Sequence, residues 1–184
     1  MYLILVTSNE GKFREYESMF LEHGMKVKVA FFSYPEEQLD SIEKVAERSA
    51  CYLQGIMKED FFIDDSGLFI ESLGGFPGVY SSYVNRTIGN DGILKLMSNV
   101  EDRRARFRTC IAYYDGEMHL FTGEVSGQIA YKGKGENGFG FDPIFIPSGY
   151  TNTYAEMSLQ EKSSISHRSR AAKEFIAFLK KKEI

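Results

Sequence analysis

Residues Tyr2 to Val6 form an unbroken apolar run that stops at the polar turn Thr7-Ser8-Asn9-Glu10-Gly11-Lys12. A run without polar alternation reads as a strand buried on both faces. Phe13, Tyr16 and Phe20 then recur at helical spacing, and Gly24 is a stop before a second apolar stretch, Lys26 to Ala30. The opening is therefore strand, loop, helix, strand, and it commits the chain to an α/β architecture.

Further along, Ile42, Val45, Ala46, Ser49 and Leu53 line one face of a helix whose other faces carry Glu43, Lys44, Glu47 and Arg48. Phe61 to Ile63 reads as another buried strand, delivering Asp64-Asp65-Ser66-Gly67 at its C-terminal end, where open α/β sheets place ligands. Phe107, Thr109, Ile111 and Tyr113 alternate against Arg106 and Arg108, so Ala105 to Tyr114 predicts a strand with one solvated face. Asp115-Gly116 is a hairpin signal, with partner strands in Glu117 to Ala130. Gly133 to Gly140 interrupts the pattern, and Ala172, Phe175, Ile176 and Leu179 mark a closing helix with a basic tail. No repeat or linker divides residues 1–184, which read as one domain with two lobes.

Lys and Arg number 22 against 26 Asp and Glu, a net charge of -4 that argues against nucleic-acid polymers and acidic membranes as partners. A small anion in a local basic pocket remains compatible. Cys51 and Cys110 are the only cysteines and form no CxxC, which fits a reducing compartment without a disulfide framework. The start carries no basic leader and no run is long enough to span a bilayer, so the expected location is cytoplasmic.

Four segments could carry chemistry. The turn Thr7 to Lys12 aims backbone N–H groups and a helix dipole at an anion, with Lys12 adding full charge, although an ordinary capped helix start has the same composition. Asp64 and Asp65 are adjacent carboxylates that could hold Mg²⁺ or act on water, provided Ser66-Gly67 turns the backbone so that both serve one site. An Asx turn at a strand end is the alternative. Phe139-Gly140-Phe141-Asp142 could offer a stacking surface for a base with a carboxylate at its edge, or be a glycine-rich loop with core aromatics. Lys162, His167 and Arg168 gather donors before the closing helix, with Ser166 a suitable N-cap, and a solvated helix entrance would look similar.

Taken in order, TSNEGK, IDDSGLFIESLGGFPGVYS, GFGFDPIF and EKSSISHR resemble the inosine triphosphate pyrophosphatase family from the first strand to the last helix. That resemblance implies Mg²⁺-dependent cleavage between the α- and β-phosphates of deaminated purine nucleoside triphosphates. It also implies an elongated mixed α/β fold with the substrate between two lobes, and a homodimer. Carried over by motif, Thr7, Ser8, Asn9, Glu10, Gly11, Lys12 and Ser66 meet the phosphates, with Lys12 also catalytic. Asp65 orients or deprotonates the attacking water near the metal, supported by Asp64. The metal-binding glutamate falls in Glu36-Glu37-Gln38, where the E-x-Q pattern favours Glu36 over Glu37.

For the base, the resemblance sets Phe139, with Gly140 and Phe141, against the purine and Asp142 near its edge. His167 and Arg168 reach towards the six-position, and Lys162 lies at the phosphates or the pocket rim. A donor there suits the six-oxo group of hypoxanthine or xanthine and leaves the amino group of adenine unpaired. Phe141 stands where relatives carry tyrosine or tryptophan. The rival readings are a Maf-type pyrophosphatase preferring modified pyrimidines, a nucleotide sensor without catalysis, and a phosphatase working through an aspartyl-phosphate.

Overall fold

The computed structural model describes residues 2–182; Met1, Glu183 and Ile184 of the expected 1–184 unit lie outside the described residues. One six-stranded mixed sheet in the order β2-β1-β3-β4-β5-β6 organises the chain. β1 (Tyr2–Val6) lies between β2 (Lys26–Ala30) and β3 (Phe61–Ile70) and is parallel to both. β4 (Arg104–Tyr114), β5 (Met118–Ile129) and the short β6 (Phe145–Pro147) continue it antiparallel.

Helices cover the sheet where the sequence leaves it apolar. α1 (Glu10–Leu21) and α6 (His167–Lys182) pack on one face of the parallel half, where Phe20, Phe62 and Phe175 meet with ring centroids 5.4 to 5.8 Å apart. α2 (Ile42–Leu53) covers the other face through the stripe expected for it, with Ile42, Ala46, Ala50 and Leu53 fully buried. A third core lies at the far end, where Leu68, Phe107, Phe141, Phe145 and Tyr154 pack with Val84 and Ile93 of α3 (Ser81–Thr87) and α4 (Gly89–Leu96). Two lobes result, and the long strands β3 and β4 belong to both.

Two expectations change here. Phe61–Ile63 is only the beginning of a ten-residue strand, so Asp64-Asp65-Ser66-Gly67 lies in mid-strand and does not turn. The reason is pairing: β4 supplies a partner for every residue from Phe61 to Ile70, which holds the backbone extended through the glycine. Glu117–Ala130 yields a single twelve-residue strand where partner strands were expected. β1, by contrast, pairs with β3 only at Phe61 and Phe62. Beyond its end the β3 edge opens, and the cleft forms there.

α6 approaches β5 closely because position 123 has no side chain. A Cβ on Gly123 would overlap the backbone carbonyl oxygen of His167. Gly123→Ala is expected to push the N-terminal turn of α6 away from the sheet, lowering stability by about 1–3 kcal/mol through overpacking. Denaturant unfolding measures this directly, and an unchanged midpoint would show that the contact yields freely.

Candidate active site

A cleft of about 770 Å³ lies between the lobes. Its lining includes Thr7, Ser8, Asn9 and Lys12 from the first turn, Glu36 from the β2–α2 connection, and Asp65 and Ser66 from β3. Phe139, Gly140, Phe141 and Asp142 join from the glycine-rich loop, with Lys162, His167 and Arg168 from the C-terminal segment. Residues from five distant stretches of sequence are thus brought together. Glu10 and Gly11 are the exceptions: neither lines the cleft, and Glu10 is exposed and pairs with Arg14 at 3.5 Å. Gly11 lies beneath the Phe139 ring, which occupies the space a Cβ would need.

The turn is a capped helix start that opens on the cleft. Asn9 is the N-cap of α1, its Oδ1 accepting the Lys12 N–H at 3.0 Å, and Thr7 Oγ1 accepts the Asn9 N–H at 3.1 Å. Both side chains therefore hold the turn shape. The positive end of a twelve-residue helix lies at the cleft wall.

Strand alternation sends the two aspartates to opposite faces. Asp64 faces α1 and α6: its carboxylate meets Lys12 Nζ at 2.5 Å, Arg168 Nε at 2.8 Å and the Tyr16 hydroxyl at 3.1 Å. Burial alone would raise its pKa, but Lys12 and Arg168 outweigh it and hold the carboxyl well below the usual carboxylate range. Asp65 faces the α2 side with Glu36. Burial pushes it up to about 7, with Glu36 and Asp64 adding to the rise and Lys12 opposing it. Its Oδ2 is shielded from solvent yet has no hydrogen-bond partner among the described residues.

These two carboxylates divide the roles that sequence reading gave them jointly. Asp64 is a permanently ionised tie between elements. Asp65, unpaired and near neutrality, can accept a proton or a cation. Mg²⁺ is held through one or two carboxylates and completes its shell with water and phosphate oxygens, so Glu36 with the unpartnered Asp65 oxygen fits it. No cluster of three or more His, Cys, Asp or Glu suited to a metal occurs among the described residues.

Arg168 and Lys162 differ from the expectation of free donors. Arg168 is 2% exposed and spends Nε on Asp64, one terminal nitrogen on Glu15 at 2.5 Å and the other on Ser66 Oγ at 3.1 Å. Lys162 Nζ bridges Glu15 at 2.6 Å and Asp142 at 2.5 Å. Asp142 also accepts the Phe139 N–H at 2.8 Å, which shapes the aromatic loop. His167 is buried and stacks on Phe107, with centroids 4.6 Å apart and planes 10° from parallel. Burial, reinforced by Arg168, holds its imidazole well below the usual histidine range, so it is neutral. Ser166 caps α6 as expected, its Oγ accepting the Ser169 N–H.

Sequence reading missed Glu15, Tyr16 and Thr109. Glu15 is 3% exposed and carries both Lys162 and Arg168. The available signal was a carboxylate on the inward stripe of α1, between Lys12 and Met19. Thr109, fully buried on β4, meets Ser66 Oγ and the Asp64 carboxylate across the sheet.

The Ham1 family model matches residues 3–178. A protein of Thermococcus kodakarensis named dITP/XTP pyrophosphatase is 53% identical over 98% of this chain and 98% of its own length. One of Pyrococcus horikoshii with the same name is 49% identical over 98% and 97%. The solved structure of the Staphylococcus aureus Ham1 protein superposes with a TM-score of 0.81 at 32% identity, covering 97% of this chain and 99% of that one.

Two outcomes test the site. Glu15→Gln leaves two buried cations each short of a partner and is expected to cost about 3–5 kcal/mol in denaturant unfolding; a loss under about 1 kcal/mol would mean that the ties are dispensable. For Asp65 in chelator, the folded pKa near 7 exceeds the unfolded 3.8. Its contribution to stability is complete below the unfolded value and is lost as pH rises through about 7. Asp65→Asn should therefore gain stability relative to wild type across that interval and level off above it. A flat difference would place Asp65 at an ordinary pKa.

Proposed function

The chain belongs to the Ham1 family, and from that premise we propose how its cleft divides the work of cleaving a nucleoside triphosphate. The activity is hydrolysis of deaminated purine nucleoside triphosphates to the monophosphate and pyrophosphate, in line with relatives named dITP/XTP pyrophosphatase over nearly its whole length. The observation that carries this reading is the meeting of the capped phosphate-binding turn, the unpartnered Asp65 beside Glu36, and the Phe139 loop in one cleft.

The triphosphate lies along the turn Thr7 to Lys12, held by backbone N–H groups and the dipole of α1. Glu36 and Asp65 would hold Mg²⁺, which as a Lewis acid would draw charge from the phosphate oxygens. Asp65, whose shielded Oδ2 has no partner among the described residues, takes a proton from the attacking water. The water oxygen bonds to the α-phosphorus, the bond to the α–β bridging oxygen breaks, and pyrophosphate departs with the electron pair. Lys12, 17% exposed at its side chain, is the cation nearest the turn for that departing charge.

Phe139 faces the base, and neutral His167, with an unpartnered buried Nδ1, offers the pairing group at its edge. Arg168, Lys162 and Asp142 fix the walls around it. A six-oxo purine is accommodated and adenine's amino group left unpaired, which favours deaminated bases. The relatives' name and the GFGFD and SHR segments together favour this over a Maf-type pyrimidine preference.

We further propose a homodimer using the exposed Phe76, Tyr80 and Tyr83, and a cytoplasmic location suited to two unpaired cysteines. Among the described residues no helix is long and apolar enough to cross a membrane.

Incubation with Mg²⁺ and, separately, inosine, xanthosine, adenosine, guanosine, cytidine and uridine triphosphates should yield pyrophosphate and monophosphate preferentially from the first two. Orthophosphate as the first product, or preference for pyrimidines, would overturn the reading. Asp65→Asn should lower kcat by about 10²-fold or more, the scale of lost general-base catalysis. Full turnover in that variant would remove the base assignment.

A further inference from the structure

Four full cations line the cleft: Lys12, Arg86, Lys162 and Arg168. Three are already committed. Lys12 pairs with Asp64, Lys162 with Glu15 and Asp142, and Arg168 with Asp64 and Glu15. These three cations and three carboxylates balance one another, so their field at the substrate is largely internal. Glu36 and Asp65 add negative charge to the same cleft. A triphosphate carries about four negative charges at neutral pH, and the network as it stands offers little net attraction for it.

Arg86 is different. It is exposed, lines the cleft, and has no carboxylate or hydrogen-bond partner among the described residues. Its helix is fixed in place: Ser81 Oγ accepts the Leu68 N–H at 2.9 Å and donates to the Gly78 carbonyl at 2.7 Å, tying α3 to β3 just beyond Asp65 and Ser66. Ser82, Asn85 and Arg86, at helical spacing, present hydroxyl, amide and guanidinium to the cleft, with no acid on that wall. A guanidinium is suited to phosphate by its planar pair of donors.

We propose that Arg86, which rests on the pyrophosphatase reading above, binds the phosphate chain of the nucleotide from the lobe opposite the Thr7–Lys12 turn. It is the cation lining the cleft whose charge no carboxylate among the described residues pairs with, and it favours triphosphates over less charged nucleotides. Being uncommitted, it brings its full charge to the phosphates, whereas the charge of each other cation is already offset by a buried carboxylate.

The test uses inorganic tripolyphosphate with Mg²⁺, which carries the phosphate chain and no base. Calorimetry on wild type, Arg86→Ala and Arg86→Lys should show binding weakened about tenfold or more by alanine and partly recovered by lysine. In turnover of inosine triphosphate, Arg86→Ala should raise KM by a similar factor while the inosine-to-guanosine selectivity ratio stays constant. Equal tripolyphosphate affinity in wild type and Arg86→Ala overturns the proposal, leaving Arg86 as a solvated residue at a helix C-terminus. A changed base ratio with intact tripolyphosphate binding also overturns it, by assigning Arg86 to the base. If wild type turned over no nucleotide, the pyrophosphatase reading would fail, and tripolyphosphate binding would still decide for or against Arg86. Unchanged thermal unfolding of the alanine variant verifies that it is folded.

Discussion

An unbroken alternation of charge, Lys12–Asp64–Arg168–Glu15–Lys162–Asp142, holds the site together. Its members come from α1, β3, α6, α5 (Leu159–Ile165) and the glycine-rich loop, so each ion pair also ties elements of the fold together. Buried charges are costly to desolvate, and a hydrophobic filling could be equally stable. What the ions add is direction. Asp64 and Glu15 each accept from two cations, and Asp142 from Lys162 and the Phe139 N–H, so shifting any one element would strand charge in a region of low dielectric. The walls of the cleft are thereby positioned before a nucleotide arrives.

The sheet explains why this network and the reactive carboxylate can lie so close without merging. Asp64 and Asp65 are neighbours in sequence, yet strand alternation gives one to the network and the other to the cleft face beside Glu36. A turn at Ser66-Gly67 would have brought both to one side, where mutual repulsion would raise both pKa values and Lys12 would be shared. Continued pairing with β4 avoids that. One carboxylate stays ionised, held low by two cations, and the other stays near neutrality.

This is also where the sequence was legible and where it was not. The apolar run of β1, the helical stripes of α1 and α2 and the hairpin at Asp115-Gly116 are local patterns, and the structure carries each of them. The clustering of the first turn, Asp65, the Phe139 loop and His167 followed from four motifs that only a shared site would collect. Glu15 stayed hidden because its partners lie 147 and 153 residues away, and nothing near it distinguishes a buried carboxylate from a solvated one. The strand's passage through Ser66-Gly67 was hidden for a related reason: glycine permits a turn locally, while ten residues of pairing with β4 decide against it.

The same physics fixes which groups can respond to a ligand. The network is balanced and close to saturated: Glu15 has both oxygens occupied, and the Asp64 carboxylate takes two cations and a tyrosine hydroxyl. Groups in that condition hold shape. Among the groups at the cleft left without a hydrogen-bond partner in the described residues are the shielded Oδ2 of Asp65 and Nδ1 of His167, together with the unpaired Arg86. They are an acceptor for a cation or proton, a ring nitrogen at the base end, and a cation on the opposite lobe. A magnesium nucleoside triphosphate presents a complement to each of the three. Affinity in this cleft therefore comes from the few valences its own fold does not consume, and the larger number of charged residues around them serves to keep those valences apart.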